Sequence, residues 1–150
     1  MSVDFPLVFK RLIPCFGVNA KRQDHEITHA HQLGKEGAAL QAYAIALATN
    51  LELLEDFNGG DFLVKLIEYM DDGVYQEKLN RIEALLNQAD KGKAIIELGN
   101  GIEAFNSVPS AIYSFLSQPQ SFAQTVIYAI SLGGDTDTIG AMTGTISGHI

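Results

Sequence analysis

The sequence is poor in cysteine, tryptophan and positive charge. Cys15 is its one cysteine and tryptophan is absent, so no disulfide can form within the chain, and a lone thiol suits a reducing compartment. Ten lysines and arginines stand against 18 aspartates and glutamates, for a net charge of −8. This balance excludes non-specific binding to nucleic acid, which needs many neutralised phosphates. A small anionic ligand stays open, because a metal ion or a helix N-terminus can hold it locally.

Long apolar runs are missing as well. The longest candidate, residues 38–48, carries Gln41 and Tyr43, whereas a membrane span needs about 18 uninterrupted apolar residues. We therefore expect no membrane segment. With 150 residues, 47% of them hydrophobic, the chain is long enough to form one globular domain or a large piece of one.

Apolar residues recur at helical spacing from about residue 35 onward, and no stretch alternates as a strand would. Asp61 is the expected N-cap of the second helix, and Ser107 of the fifth, which places Pro109 in its first turn. The sequence thus predicts an all-α fold with seven helices, whose apolar positions span 40–47, 63–70, 79–89, 95–105, 107–113, 122–130 and 138–149.

Glycines interrupt two of these helices. Gly99 and Gly101 lie within the fourth, which indicates a close backbone contact. Gly140, Gly144 and Gly148 are spaced four apart in the seventh. Such a stripe can pair membrane helices, but this segment is too short and too polar, so we expect close helix packing inside the domain.

The sequence His25-Glu26-Ile27-Thr28-His29 matches a zinc-peptidase pattern, in which two histidines one helical turn apart bind the metal. The third ligand of the longer pattern is missing after Gly34, and the preceding residues 19–24 are strongly polar. A zinc metallopeptidase acting through His25 and His29 is therefore a distant alternative, and chance matching by surface histidines is the simpler interpretation.

A second motif, Gly133-Gly134-Asp135-Thr136-Asp137-Thr138, falls where the sixth helix gives way to the seventh. Two carboxylates and a hydroxyl form an all-oxygen donor set, which suits Mg²⁺, Mn²⁺ or Ca²⁺. The spacing does not fit an EF-hand, and the residues by themselves favour a simpler role, in which Asp135 or Asp137 caps the following helix. A third motif, residues 97–102, has glycines but no phosphate-binding pattern, which favours a packing role.

Taken together, these motifs resemble the C-terminal half of the ADP-ribosylglycohydrolase family. The resemblance is nearest to the eukaryotic ADP-ribosylhydrolase 3 branch. It rests on four segments that occur in the family's order: Thr28-His29 with Leu33-Gly34 and residues 37–42, then Glu97-Leu-Gly-Asn-Gly-Ile102, then Ser107-Val-Pro-Ser-Ala-Ile-Tyr113, then Ile127-Tyr-Ala-Ile-Ser-Leu-Gly-Gly-Asp-Thr-Asp-Thr-Ile139.

The resemblance implies an all-α globule with two Mg²⁺ ions at the base of an ADP-ribose cleft. Asp135, Asp137 and Thr138 correspond to metal ligands, with Asp137 as the candidate to bridge both ions. His29 corresponds to a residue that contacts bound ADP-ribose, and Ile102 to a position that lines the cleft.

The resemblance also implies a division of the chain. Residues 1–26 form a divergent N-terminal segment, and residues 27–150 correspond to the C-terminal half of the family domain, cut short within its last helix. No position matches the family's catalytic glutamate, so no catalytic residue is assigned. We expect the full-length protein to be a Mg²⁺-dependent hydrolase of the O-glycosidic bond in serine-linked ADP-ribose, poly(ADP-ribose) and O-acetyl-ADP-ribose, with this chain inactive alone. The alternative is a non-catalytic remnant that binds ADP-ribose.

The expected partners are ADP-ribose and ADP-ribosylated proteins, with no direct contact to nucleic acid or membrane. We expect a monomer in an intracellular compartment, either the nucleus or the cytoplasm, with mitochondria also open.

Overall fold

A computed structural model describes residues 25–50 and 57–148, with the backbone alone for residues 25–30. Within these ranges the chain forms seven helices and no strand, which confirms the all-α prediction. The helices are α1 His25–Thr49, α2 Gly59–Tyr69, α3 Val74–Gln88, α4 Lys91–Leu98, α5 Ala104–Ser117, α6 Phe122–Ile130 and α7 Thr136–Ser147.

Short polar side chains fix where three of the helices begin. The Asn58 side chain accepts hydrogen bonds from the N–H groups of Gly60 and Asp61, at 2.9 and 3.3 Å, and so caps α2. Asp90 caps α4 and Ser121 caps α6 in the same manner. The prediction that Asp61 caps α2 was wrong, because Asn58 already accepts from the free N–H groups of the first turn.

The fourth helix is shorter than predicted. It ends at Leu98, because Gly99 adopts a φ of 83° that other residues avoid. Ile102 therefore lies in the loop at residues 99–103, and Phe105 belongs to α5. A Cβ at Gly99 would overlap the Asn106 side chain, which confirms the close contact that the glycines indicated.

The fifth helix starts earlier than predicted, with Glu103 at the N-cap position. The Ser107 hydroxyl donates to the Glu103 carbonyl at 3.3 Å, so it does not cap the helix as predicted. Pro109 lies inside α5 and not in its first turn. A proline there removes one helical hydrogen bond.

Lys78 compensates for that missing hydrogen bond. The carbonyl of Phe105, four residues before Pro109, would otherwise lack its helical donor. The Lys78 ammonium donates to it at 2.7 Å, to the Leu98 carbonyl at 2.6 Å and to the Asn106 side chain at 2.7 Å. Burial lowers the pKa of Lys78. This one side chain thus joins α3, the end of α4 and the start of α5.

Helix α5 lies at the centre of the domain. It packs against α1, α3, α4, α6 and α7, and every residue from Ser107 to Leu116 is buried. Its serines suit this position because they are small and bond to nearby carbonyls, as Ser114 does with the Ser110 carbonyl at 2.7 Å. Such pairing removes the cost of burying a hydroxyl.

The glycine stripe of α7 packs against α6. A Cβ at Gly140 would lie 3.4 Å from Ile130, and one at Gly144 would lie 3.6 Å from Phe122 and Val126. The expectation of close helix packing is confirmed. In the part of the chain that the structure describes, no helix is long and apolar enough to cross a membrane.

Candidate functional site

The turn at residues 133–138 leads from α6 into α7 through two glycines in a left-handed conformation. Gly133 and Gly134 have φ values of 71° and 67°, a region that residues with a Cβ rarely occupy. Asp135 follows at the N-cap of α7, yet its side chain makes no capping hydrogen bond. The simpler expectation, that Asp135 or Asp137 caps the helix, is met in position by Asp135, but without a side-chain hydrogen bond. Its carboxylate remains available to a ligand.

The loop at residues 99–103 holds this turn in place through Asn100. The Asn100 side-chain amide donates to the Leu132 carbonyl at 2.9 Å, and the Asn100 carbonyl accepts from the Asp135 N–H at 2.8 Å. One residue thereby bonds to the chain on both sides of the two glycines. A Cβ on Gly134 would overlap the Asn100 carbonyl, so glycine is needed for the two segments to meet.

The predicted metal ligands lie at the start of α7. Asp137 is exposed in the first turn, and Asp135 and Thr138 are half-buried. All three donors are hard oxygens, and Mg²⁺ commonly takes one or two carboxylates and keeps several waters. The donor set fits a magnesium ion in its chemistry. Among the described side chains, no group of three or more His, Cys, Asp or Glu residues gathers as a metal cluster.

Ile102 projects from the loop at residues 99–103 with 78% of its surface exposed. Because so little of its side chain is buried, Ile102 contributes little to the stability of the domain core. Beside it, the Asn106 amide donates to the Glu103 carboxylate at 3.0 Å. The Ile102 side chain is exposed to solvent, and its cleft-lining role stays a prediction.

The two predicted histidines lie at the start of α1, where His25 and His29 are one turn apart. Their side chains lie outside the described residues, so the contact of His29 with ADP-ribose and the zinc pair stay predictions. Two glutamates close to the segments that resemble the family, Glu36 and Glu97, bond to residues on their own helices. Glu36 accepts from Gln32 at 3.0 Å, and Glu97 pairs with Lys93 at 3.8 Å.

An apolar groove of about 600 Å³ lies between α6 and α7, next to the turn. Phe122, Val126 and Ile130 line one side, Gly140 and Gly144 line the other, and Asp137 and Thr136 stand at the end near the turn. The predicted ligand Asp137 therefore borders an apolar surface.

Sequence reasoning missed the parts played by Asn100 and Lys78. Asn100 lies in the motif at residues 97–102, but its hydrogen-bond partners are 32 and 35 residues away, so no local pattern indicates its role. Pro109 gives an indirect signal for Lys78, because a proline inside a helix frees a carbonyl that needs another donor.

Comparison with protein families matches residues 18–150 to ADP-ribosylglycohydrolase. The ADP-ribosylhydrolase ARH3 of Homo sapiens is 40% identical, over 85% of this chain and 42% of that relative. The mouse protein of the same name is 40% identical over 85% and 41%, and the Danio rerio protein 35% over 81% and 40%. The chain thus spans about two fifths of the length of these relatives. It belongs to the ADP-ribosylglycohydrolase family.

Proposed function

We propose that this chain is the C-terminal part of a hydrolase that cleaves the O-glycosidic bond at the ribose C1″ of ADP-ribose conjugates. The proposed substrates are serine-linked ADP-ribose, poly(ADP-ribose) and O-acetyl-ADP-ribose. The chain belongs to this family, and one structural observation supports the proposal. Asp135, the N-cap residue of α7, has a carboxylate that makes no capping hydrogen bond, and two further oxygen donors, Asp137 and Thr138, follow it in the first turn.

These three residues are the proposed ligands of Mg²⁺, two ions in the complete site. Asp137 is the candidate bridge, since two oxygens of one carboxylate can serve two neighbouring cations. When bound, the ions supply positive charge that polarises ribose hydroxyls and stabilises the leaving group. This chain contributes the turn at residues 133–138, which holds the oxygen atoms of the three proposed ligands.

ADP-ribose contacts are proposed for Ile102 and His29. The exposure of Ile102 supports this role, because it leaves an apolar side chain open to a ligand. An apolar side chain of this kind can cover a face of the adenine or ribose ring and exclude water. The proposed contact of His29 with ADP-ribose rests on the family resemblance.

We propose that the chain alone does not hydrolyse these substrates at a measurable rate. Glycosidic cleavage needs a positioned proton donor or acceptor, which contributes about 10²- to 10⁴-fold. Glu36 and Glu97 both have partners on their own helices. The second candidate function is a remnant that binds ADP-ribose without catalysis, which follows if no other carboxylate of this chain takes the role of the proton donor or acceptor.

A serine-ADP-ribosylated peptide with excess Mg²⁺ tests the proposal. The full-length gene product should release free ADP-ribose and lose at least about 100-fold in rate on Asp137→Ala or Asp135→Ala, because each removes a charged ligand. Asp61→Ala, an exposed carboxylate in the first turn of α2, is the matched control and should keep full activity. Full activity of the Asp137 variant would overturn the ligand assignment.

The 150-residue chain should release no ADP-ribose in the same assay. Titration calorimetry with Mg²⁺ should show a millimolar Kd or no binding, since Mg²⁺ gives up its water reluctantly and the shell is partial. Tight Mg²⁺ binding that persists in Asp137→Ala would refute both the expected weak affinity and the assignment of Asp137 as a ligand. Binding of ADP-ribose without turnover would favour the remnant.

The family resemblance also supports proposals for the division of the chain, its partners, its oligomeric state and its compartment. We propose residues 27–150 as the family unit and residues 1–26 as the divergent segment, and the family match itself begins at residue 18. ADP-ribosylated proteins are the proposed partners, with no direct nucleic-acid contact. We propose a monomer in the nucleus or cytoplasm, with mitochondria as the other candidate, and gel filtration with light scattering tests the monomer.

A further inference from the structure

Asn100 makes two long-range hydrogen bonds to the turn that carries the predicted ligands. Its side chain donates to the Leu132 carbonyl, before the glycine pair, and its backbone carbonyl accepts from the Asp135 N–H, after it. The turn needs such support because glycines have the greatest backbone freedom of all residues. Asp135 needs it most, since its side chain makes no capping bond to α7.

The loop that carries Asn100 is itself anchored to the buried core. The Ser110 hydroxyl, on the central helix α5, donates to the carbonyl of Gly99. Lys78 donates to the carbonyl of Leu98 and to the Asn106 side chain. Ser110 is buried and Lys78 is half-buried, so the anchor is shielded from competing water. The turn is thus joined to the core through the residue just after α4.

We propose that Asn100 is a positioning residue that holds Asp135, Asp137 and Thr138 in the geometry a divalent cation requires. This inference rests on the proposed function of those three residues. Mg²⁺ demands near-ideal octahedral geometry, and groups that orient the ligands of a metal typically change its affinity by about 10- to 100-fold. Loss of the Asn100 side chain frees the Leu132 carbonyl and loosens the segment that ends at Asp135.

The test uses the ¹⁵N-labelled 150-residue chain with Mn²⁺ as a paramagnetic probe. Two variants are compared with the wild type, Asn100→Ala and Asn100→Asp. Asn100→Asp keeps the side-chain shape, removes the donated hydrogen bond and adds a negative charge, which by itself would strengthen cation binding. A loss of affinity in both variants therefore separates positioning from charge. Thr125→Val is the control, since it removes the buried hydrogen bond to the Gln118 carbonyl and leaves the turn intact.

Two readouts are recorded. Amide exchange at Asp135 should become about tenfold faster in both Asn100 variants, and about tenfold more Mn²⁺ should be needed to broaden the resonances of Asp135, Asp137 and Thr138. The Thr125 variant should melt earlier but need the same Mn²⁺ concentration. An unchanged Mn²⁺ titration in Asn100→Ala, or tighter binding in Asn100→Asp alone, would overturn the proposal.

Full activity of the full-length Asp137→Ala variant would contradict the ligand assignment of the proposed function, whereas absent Mn²⁺ broadening in the 150-residue chain would not, because weak or absent binding is expected of it. The exchange measurement, made without metal, then still decides whether Asn100 holds the turn. Exchange at Asp135 that is equal in wild type and variants would refute the clamp itself. The two failures are thereby distinguished.

Discussion

Helices α5 and α6 are both rich in apolar residues, but they occupy opposite kinds of place. Every residue from Ser107 to Leu116 of α5 is buried. On α6, Phe122, Ile127 and Ile130 have 56%, 65% and 49% of their surface exposed. Apolar composition therefore predicts a helix with a face to bury, and the number of packed neighbours decides how much of that face is covered.

The difference has a structural cause. Helix α5 meets five other helices, whereas α6 packs mainly on α5 and α7. The buried serines of α5 let its neighbours approach closely, and their hydroxyls bond to carbonyls. The outer side of α6 faces the groove beside Asp137 and the solvent. The predicted ligands thus stand at the border between a closed core and an open apolar surface.

Truncation of one phenylalanine on each helix should give the largest contrast. Phe115, fully buried on α5, lies 5.3 Å from the Phe57 ring and 5.4 Å from the Phe62 ring. We expect Phe115→Ala to lower the free energy of unfolding by about 3–5 kcal/mol, and Phe122→Ala by about 1 kcal/mol, because half of its surface is already exposed. Urea denaturation measures both. Equal losses would contradict the contrast.

A second pair of variants compares the turn with the helix that follows it. Gly134→Ala should destabilise by about 2–4 kcal/mol, since a positive φ costs a residue with a Cβ about 1–2 kcal/mol and the new methyl would overlap the Asn100 carbonyl. Gly140→Ala should be neutral or stabilise by up to about 1 kcal/mol, because alanine favours a helix interior and its Cβ would only touch Ile130. Thermal melts of both variants check this. A harmless Gly134→Ala would show that the turn is not tightly held.

High pH should weaken the contact between α5 and α6. Burial and the hydrogen bond with Tyr128 raise the pKa of Tyr113 to about 12, against 10.0 ordinarily. The stabilisation is fully present below pH 10 and is lost as the pH rises toward 12, because the unfolded chain then ionises first.

We therefore expect the unfolding free energy to fall between pH 10 and 12, and to fall less steeply in Tyr113→Phe. Tyr128→Phe is the control. It removes the 3.0 Å hydrogen bond between the two hydroxyls but leaves Tyr113 able to ionise, so the decline should persist. Urea denaturation across this pH range records the slopes, and identical slopes in wild type and Tyr113→Phe would refute the assignment.

The smallest effect is expected on the open side of α6. Ile127→Gln should change the free energy of unfolding by no more than about 0.5 kcal/mol, since 65% of the side chain is exposed. Ile112→Gln, at a buried position of α5, should by contrast cost more than 2 kcal/mol, roughly the value of a buried aliphatic side chain. A large loss in the Ile127 variant, with a shift in gel filtration, would show that this face is covered in solution.

The sequence predicted the helices better than their ends. Spacing of apolar residues correctly gave seven helices among the described residues, because a buried stripe repeats with the helical period. The ends failed where two residues compete for one role. Asn58 caps α2 in place of Asp61, and Glu103 stands at the N-cap of α5 in place of Ser107. Local preference cannot choose between such neighbours.

The candidate site divides in the same manner. The family and the oxygen donors Asp135, Asp137 and Thr138 could be read from motifs, because contiguous residues carry them. That Asp135 makes no capping bond, and that Asn100 bonds across the turn, could not. The bonds of Asn100 join residues more than 30 positions apart, which no local pattern specifies.

The sequence by itself determined the all-α class and the family, since each is encoded in local spacing or in short motifs, and it predicted the oxygen donor set. Only the tertiary structure decided that Pro109 lies inside α5, that Lys78 satisfies the carbonyl it frees, and that α6 keeps an open apolar side. The physical reason is that hydrogen-bond satisfaction and burial depend on all packed neighbours. Those neighbours come together only when the chain has folded.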